Sequence, residues 1–420
     1  MTSAYLSSSN SQGSFDSTSI ASDCVRPEAK EHHKLNPRLH GFSCIRCQAP
    51  LPIDDYFEGC PTCVADGEPA AVRAEFDNLP TQLGDVGKRG MGRYAAWMPY
   101  SSWHSLGEGG TPCIRLDALA NEVGTAKLFI KNEGQNPSGS HKDRVSCLTV
   151  TRAVDTRAYK IVAASSGNGG ASLALYAAAA RLQCSIVATP ALSPTHRRAI
   201  TTSGADLIIV EDMLERWRVV STMIKERDWF PATNYLSPPV GSNHFGVEGL
   251  RTLAFELVED LGPDGFDAVL VPTSRGDLIW GLFEGFRQLK ELQFIAKIPR
   301  LFAVEPFPRI CRVLNGEMIT GTYAGTTDLF SIGGSTVTYQ AVEAIRASGG
   351  TATVADVATA MRDQRRLAEH GCYAELSSAA TLTGLERIRM EGVIGENAAV
   401  VLVVTSNGYK DTPNHTGLAL

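Results

Sequence analysis

The lysine at position 142 has the surroundings of a nucleophile. It stands in the run Lys131-Asn132-Glu133-Gly134-Gln135-Asn136-Pro137-Ser138-Gly139-Ser140-His141-Lys142-Asp143-Arg144. An apolar strand ends at Lys131, a turn-rich loop follows, and a helix starts near Ser140. Ligand sites of α/β proteins lie at such strand ends. An amine placed there is partly desolvated and close to the positive end of a helix, and both effects lower its pKa and leave it nucleophilic. An ordinary exposed lysine fits the same segment taken alone.

A second segment, Ser165-Ser166-Gly167-Asn168-Gly169-Gly170, leads into an alanine-rich helix. Its small residues let backbone N–H groups approach an anion at a helix N-terminus. A tight turn with an N-cap serine is the plainer reading. Upstream, Cys44-Ile-Arg-Cys47 and Cys60-Pro-Thr-Cys63 form two CxxC pairs separated by twelve residues. Two such turns can close a tetrahedron of thiolates around Zn²⁺, and the ion would also explain how so short a segment folds. The spacing favours zinc over free thiols, and a structural role, because four sulfurs leave no open position. A nucleic-acid-binding ribbon is disfavoured by the scarcity of aromatic and basic residues there.

The elements that must position these groups alternate along the chain. KLFIK (127–131), IVAAS (161–165), SIVAT (185–189), DLIIV (206–210), AVLVP (268–272), RLFAVE (300–305) and AVVLVVT (399–405) read as short apolar strands. Helical patterns lie between them, at 143–153 and 171–182 among others. Nearly unbroken apolar strands separated by helices imply mostly parallel sheets covered on both faces. The fold class is therefore α/β, with two lobes preceded by a small zinc-ribbon-like module. The expected boundaries are a flexible tail at 1–38, the cysteine module at 39–70 and a catalytic domain at 71–420, its smaller lobe near 145–250. The piece GKRGMGRY (87–94) reads as a loop.

The bulk numbers agree with this class. A chain of 420 residues exceeds what one core usually organises. Hydrophobic residues are 43% and charged residues 20%, as in ordinary globular proteins. A net charge of -6 offers no general attraction to nucleic acid or to anionic membranes. No stretch approaches the ~20 apolar residues of a membrane span. The Ser-rich start lacks the apolar core of a secretory signal. Six of the ten cysteines are scattered, which favours a reducing compartment, and the expected location is the cytoplasm. Cys147, Cys184 and Cys372 read as inert core thiols.

Together these segments resemble the fold-type II pyridoxal phosphate enzymes, and among them the threonine synthase group. That group carries a leader like Leu106-Gly107-Glu108-Gly109-Gly110-Thr111-Pro112, a lysine box of the form NPTGSFKDR matched at 136–144, and an asparagine loop like 165–170. A late strand ends in TGHGLKD, matched by Thr405-Ser406-Asn407-Gly408-Tyr409-Lys410-Asp411. Many members also have an N-terminal cysteine ribbon. The resemblance implies that Lys142 carries pyridoxal 5'-phosphate as a Schiff base and later removes the α-proton. Asn168 would contact the ring hydroxyl oxygen, and Thr405 would face the pyridine nitrogen. Ser165, Ser166, Gly167, Asn168 and Gly169 would hold the carboxylate of a small amino-acid substrate. It also implies a homodimer.

Three departures from the group are visible. His141 replaces the usual Phe, either to help hold the cofactor phosphate or to pack against the cofactor's edge. The phosphate cup PVGNAGN is matched by Pro272-Thr273-Ser274-Arg275-Gly276-Asp277, where Thr273, Ser274, the Gly276 amide and Arg275 remain as donors. Asp277 would repel a phosphate unless its side chain points away. In the stretch NPYRxEGQKT, Gly246 stands where the group has an arginine that helps to bind the substrate phosphate. That loss should cost about 2–3 kcal/mol unless Arg251 or His244 compensates. Glu375, at a helix start like the group's EGxFVEPASAA, reads as structural before it reads as a cofactor contact.

Two activities follow. One is the threonine synthase reaction, in which phosphate is eliminated from O-phosphohomoserine and water is added. The other is β-elimination or β-replacement on a serine- or cysteine-like amino acid, which Gly246 favours. A non-catalytic binding protein of the same fold would need a separate cause, because Lys142, Asn168 and Thr405 are all present.

Overall fold

The computed structural model describes residues 33–165 and 167–411. The chain first builds an antiparallel sheet from β1 (Leu39–Cys44), β2 (Pro50–Leu51) and β3 (Val72–Phe76), in the order β2-β1-β3. β3 lies beyond residue 70, the expected end of the cysteine module. β4 (Cys113–Arg115) and β5 (Lys127–Asn132) then open a larger sheet. The chain leaves it to form β6 (Lys160–Ala164), β7 (Gln183–Ala188), β8 (Asp206–Ile209) and β9 (Phe230–Pro231). It returns with β10 (Ala268–Pro272), β11 (Arg300–Glu305), β12 (Ala352–Val354) and β13 (Ala399–Val404).

The large sheet runs β12-β11-β10-β13-β5-β4 and the small one β8-β7-β6-β9. Every pairing in them is parallel except β4 with β5. The continuous apolar runs explain why. Val269, Val271, Val401 and Val403 enter one core, while Ala268, Leu270, Val400 and Leu402 enter another on the opposite face. A strand buried on both faces needs apolar side chains at successive positions.

The topology also sets the site. From β10 the chain steps outward to β11 and β12, whereas β13 lies on β10's other side, next to β5. Loops leaving β10, β13 and β5 therefore converge at a point where the strand order reverses, the usual crevice for a ligand in open α/β sheets.

Two local readings are corrected. Residues 90–97, of which 90–94 fall in the expected loop, form 3-10 turns kinked at Tyr94, with Met91, Tyr94 and Trp97 buried. Their spacing of three is that of a three-residue turn. Residues 33–38, assigned by composition to the tail, are held in place. The Asn36 amide donates to the Ala96 and Met98 carbonyls at 3.1 and 2.8 Å, and Leu35 bridges Tyr100. No helix among the described residues is long and apolar enough to cross a membrane.

Candidate active site

The loop after β5 ends at Lys142, which immediately precedes the helix Asp143–Asp155. Behind it lies a rigid anchor that sequence reading did not identify. The guanidinium of Arg144 is fully buried between two carboxylates, donating to Glu133 at 2.7 and 2.8 Å and to Glu256 at 2.7 and 2.8 Å. Lys131 joins them, 3.0 Å from Glu256 and 2.8 Å from Asp260. The leader is tied to the same cluster, with the N–H of Gly110 donating to Glu256 at 2.8 Å and that of Gly109 to Asn136 at 2.9 Å. The Lys142 amine opens into a cavity of about 170 Å³. Burial lowers its pKa and the neighbouring Arg275 lowers it further, against the opposing pull of Asp277.

The same cavity is lined by His141, Ser165, Gly167, Asn168, Gly169, Thr273, Ser274, Arg275, Gly276 and Thr405. All of these site residues are brought together; Ser166 lies outside the described residues. Thr405 leaves the end of β13, and its hydroxyl is 2.8 Å from that of Ser378. The Thr405 carbonyl accepts the backbone N–H of His141 at 3.0 Å, and the ring Nδ1 of His141 lies 3.3 Å from the same oxygen. Burial holds the His141 imidazole well below its usual pKa, with Lys142 adding to the effect.

Asn168 begins the helix Asn168–Ala179 and is held from both ends of its amide. Its Oδ1 accepts from Lys410 at 2.8 Å and from Ser406 at 3.3 Å, and lies 3.1 Å from His196 Nε2. Its Nδ2 donates to Glu375 at 3.0 Å. Glu375, whose carboxyl is shifted upward by burial, also accepts from Ser331 at 2.5 Å. Ser165 Oγ accepts the N–H groups of Gly167 and Gly170 at 3.3 and 2.7 Å, which shapes the asparagine loop. Among the described residues, the amides of Asn168 and Gly169 are the first-turn donors left for an anion.

The phosphate-cup loop follows β10. Gly276 has a φ of +98°, and a Cβ there would lie 2.3 Å from that of Ala341, so only glycine fits. Asp277 also lines the cavity, its carboxylate accepting from Ser242 at 2.6 Å and from Gln340 at 2.5 Å. Thr273 spends its hydroxyl on the Val271 carbonyl at 2.8 Å, so its part in gripping an anion falls to the surrounding loop. Arg309, also unforeseen, is fully buried and braces this loop. It donates to the carbonyls of Thr273 at 2.6 Å, Ile332 at 2.8 Å and Gly334, and burial brings its pKa down to about 10. Arg275 turns its guanidinium to the Trp217 ring, 5.7 Å from the centroid, and its Nε is buried with no partner. Such an orphaned donor beside a helix N-terminus fits a phosphate group. No spacing rule could have found Arg216, which also lines the cavity, or Arg309 and Ser331, which carry no motif; Ser378 was missed although it stands in the stretch that resembles EGxFVEPASAA.

The two proposed substitutes for the missing arginine lie elsewhere. Gly246 is buried against the helix Asp143–Asp155, and a Cβ there would stand 2.1 Å from Thr149 Oγ1, so Thr149 fills the space a longer side chain would need. Arg251 pairs with Glu248 and Gln288, and His244 packs on Phe42 with its Nε2 3.1 Å from the Asp54 carbonyl. Neither lines the cavity.

In the ribbon, the four cysteine sulfurs lie within 4.8 Å of one another, with Cys44–Cys63 at 3.5 Å and Cys47–Cys60 at 3.8 Å. Zn–S bonds of about 2.3 Å in a tetrahedron put the sulfurs roughly 3.8 Å apart, so the cluster is compatible with a zinc-ribbon-like module.

Comparison with known proteins agrees with this geometry. The chain is 28% identical to the threonine synthase of Methanosarcina acetivorans over 391 residues, 89% of this chain and 93% of that protein. It is 29% identical to that of Methanocaldococcus jannaschii over 387 residues, 88% and 92% of the two chains. Among solved structures it superposes on maize serine racemase with a TM-score of 0.63 at 21% identity, covering 72% of this chain and 89% of that one. A fungal L-serine ammonia-lyase from Rhizomucor miehei gives 0.61 at 23% identity, covering 73% and 96%. These structural likenesses establish the shared fold. Residues 104–406 match the family model described as pyridoxal-phosphate dependent enzyme, a span that holds Lys142, Asn168 and Thr405, and the chain belongs to that family.

Proposed function

We propose that this chain is a lyase of the threonine synthase type, converting O-phosphohomoserine and water to threonine and phosphate. One observation carries the reading: Lys142, the Asn168 turn, the end of β13 at Thr405 and the loop at 273–276 line a single cavity. The similarity to threonine synthases over most of the chain supports the choice of substrate.

Within that cavity each group has a task. Lys142 holds the cofactor and, as an amine that burial favours in its neutral form, moves protons at the substrate carbons. Asn168 and Thr405 orient the ring, one near its oxygen and the other near its nitrogen. The amides of Asn168 and Gly169, with Ser165, bind the substrate carboxylate. The loop at 273–276 holds the cofactor phosphate with Arg275 as its charged arm, and His141 closes the side next to Lys142. When bound, pyridoxal phosphate supplies an electron-withdrawing ring that lets protons leave Cα and Cβ. A neutral hydroxyl at Thr405 does not fix a proton on the ring nitrogen, which suits carbanions short-lived enough to expel a leaving group. The Cγ–O bond then breaks with phosphate departing, a proton is added at Cγ, water adds its hydroxyl to Cβ, and a proton returns to Cα.

The same reading gives the ribbon a structural Zn²⁺ on Cys44, Cys47, Cys60 and Cys63, and places a homodimeric enzyme in the cytoplasm. The direct test incubates purified, cofactor-loaded protein with O-phosphohomoserine and measures phosphate and threonine. Equal release of both supports the proposal. No turnover at millimolar substrate, with turnover of O-phosphoserine or O-acetylserine, would replace it by chemistry at Cβ.

A further inference from the structure

A line of hydrogen-bonded side chains leaves the cavity beside Lys142. Ser146 stands four residues after Lys142, one helical turn on, and its N–H donates to the Lys142 carbonyl at 2.9 Å. The two side chains therefore share a helix face, and both residues line the cavity. The Ser146 hydroxyl is 2.7 Å from that of Ser172, which is fully buried on the helix Asn168–Ala179. The Ser172 hydroxyl donates to Asp143 Oδ1 at 2.6 Å. The same oxygen accepts the Ser138 hydroxyl at 2.5 Å, and Oδ2 accepts the Ser138 N–H at 2.6 Å. Asp143 is fully buried, whereas Ser138 is half-buried beside the exposed Pro137.

The line can carry a proton in either direction. A serine hydroxyl has one proton to give and lone pairs to accept another. With Asp143 ionised, Ser172 donates to it and Ser146 supplies the proton of the 2.7 Å contact. With Asp143 protonated, the carboxyl donates to Ser172 and Ser172 to Ser146. Bracing of the turn accounts for the bonds to Ser138, but it does not call for an ionisable group. A carboxylate buried among neutral donors costs more to desolvate than a neutral acceptor would. Burial pushes the Asp143 carboxyl above its ordinary range, against the opposing pull of Ser138, Ser172 and Lys410.

We infer that Ser138, Asp143, Ser172 and Ser146 form a proton path between the protein surface and the cavity at Lys142. The inference rests on the proposed role of Lys142 and is independent of which amino acid is the substrate. Condensation of the Lys142 amine with the cofactor's aldehyde moves one proton off nitrogen and one onto the oxygen that departs as water. Ser146 gives its proton to that oxygen and takes one from Ser172, Ser172 takes one from Asp143, and Asp143 is recharged through Ser138. The proton released by nitrogen leaves along the same line in reverse. Protons that Lys142 moves during turnover have the same route to solvent.

The experiment mixes apoprotein with pyridoxal phosphate in a stopped-flow spectrometer and follows the visible band that borohydride removes. Wild type is compared with Ser172→Ala and Ser146→Ala, and the equilibrium affinity for pyridoxal phosphate is measured on the same samples. The expected result is a condensation rate lowered about tenfold or more in both variants. Affinity should stay within about twofold of wild type, because a proton path speeds condensation and its reversal alike. Added imidazole or acetate should restore part of the rate in the variants and leave wild type unchanged. A small acid replaces a missing proton donor, not a missing brace. Wild-type rates in both variants, or slowed rates that neither buffer improves, overturn the path. A wild type that forms no band overturns the role of Lys142, and the path with it.

Discussion

The backbone N–H of His141 donates to the carbonyl of Thr405 at 3.0 Å, joining two residues 264 positions apart. That bond fixes the residue before the lysine to the end of the strand that delivers the hydroxyl at the far side of the cavity. The separation of the two backbone segments that carry the amine and the hydroxyl is thus set by main chain, which shifts little with side-chain rotation. Sites assembled on strand ends gain this precision at the expense of adaptability.

The buried cluster behind Lys142 makes a stability prediction. Removing Arg144 leaves Glu133 and Glu256 facing each other without their shared cation. Arg144→Ala should lower unfolding stability by about 3–5 kcal/mol, seen as an earlier urea midpoint for the apoprotein. A change below about 1 kcal/mol would show that Lys131 alone neutralises the pair.

Lys410 offers a spectroscopic prediction. Its ammonium holds Asn168 Oδ1 at 2.8 Å and, in the proposed role of Asn168, would dictate which end of the amide faces the cofactor. Lys410→Met should shift the visible band of the loaded protein and cut kcat by about tenfold, with Lys410→Arg retaining most of both. An unchanged spectrum in the Met variant would assign Lys410 to surface packing only.

Acid sensitivity follows from two buried histidines. Burial depresses His244 to about 3 and His196 to about 4, below the ordinary 6.5. The unfolded chain therefore takes up protons first as pH falls. Stability from these residues is complete above pH 6.5 and is lost on acidification toward pH 3–4, by at most about 1.4 kcal/mol per pH unit for each. His244→Phe, placed among Phe42 and Phe245, should flatten the fall of melting temperature between pH 6.5 and 4. An identical slope in the variant would remove His244 from the explanation.

The ribbon should carry about one zinc per chain, measured by atomic emission on protein purified without chelator. Stripping it should lower the melting temperature and loosen the face where Phe42 meets Phe245 and Asp55 pairs with Arg152. Less than about half an equivalent, with an unchanged melting temperature on chelation, would leave the four thiols free.

Much of this was legible in sequence for a physical reason. AVLVP and RLFAVE are strands at the residues their apolar runs mark, because a strand buried on both faces cannot conceal its pattern. The lysine box, asparagine loop and late strand each leave local signals, small residues at turns and charge at helix starts. Arg309 and Lys410 reach the Thr273 carbonyl and the Asn168 amide only after the sheets assemble, so no window of sequence contains them with these partners. The 3-10 helix at 90–97 was hidden by its glycines, which read as loop, while the threefold spacing of Met91, Tyr94 and Trp97 was the available signal. The partners of Asp277 were equally hidden, since Gln340, which donates to its carboxylate, lies 63 residues away.

The most direct measurement is the visible spectrum of purified protein before and after borohydride, with the modified residue located by mass spectrometry. The account predicts a yellow protein whose colour is lost on reduction, a reduced pyridoxyl group on Lys142, and no such label in Lys142→Ala. Protein that stays colourless in excess pyridoxal phosphate, or that is labelled on another lysine while Lys142→Ala keeps its colour, would contradict it.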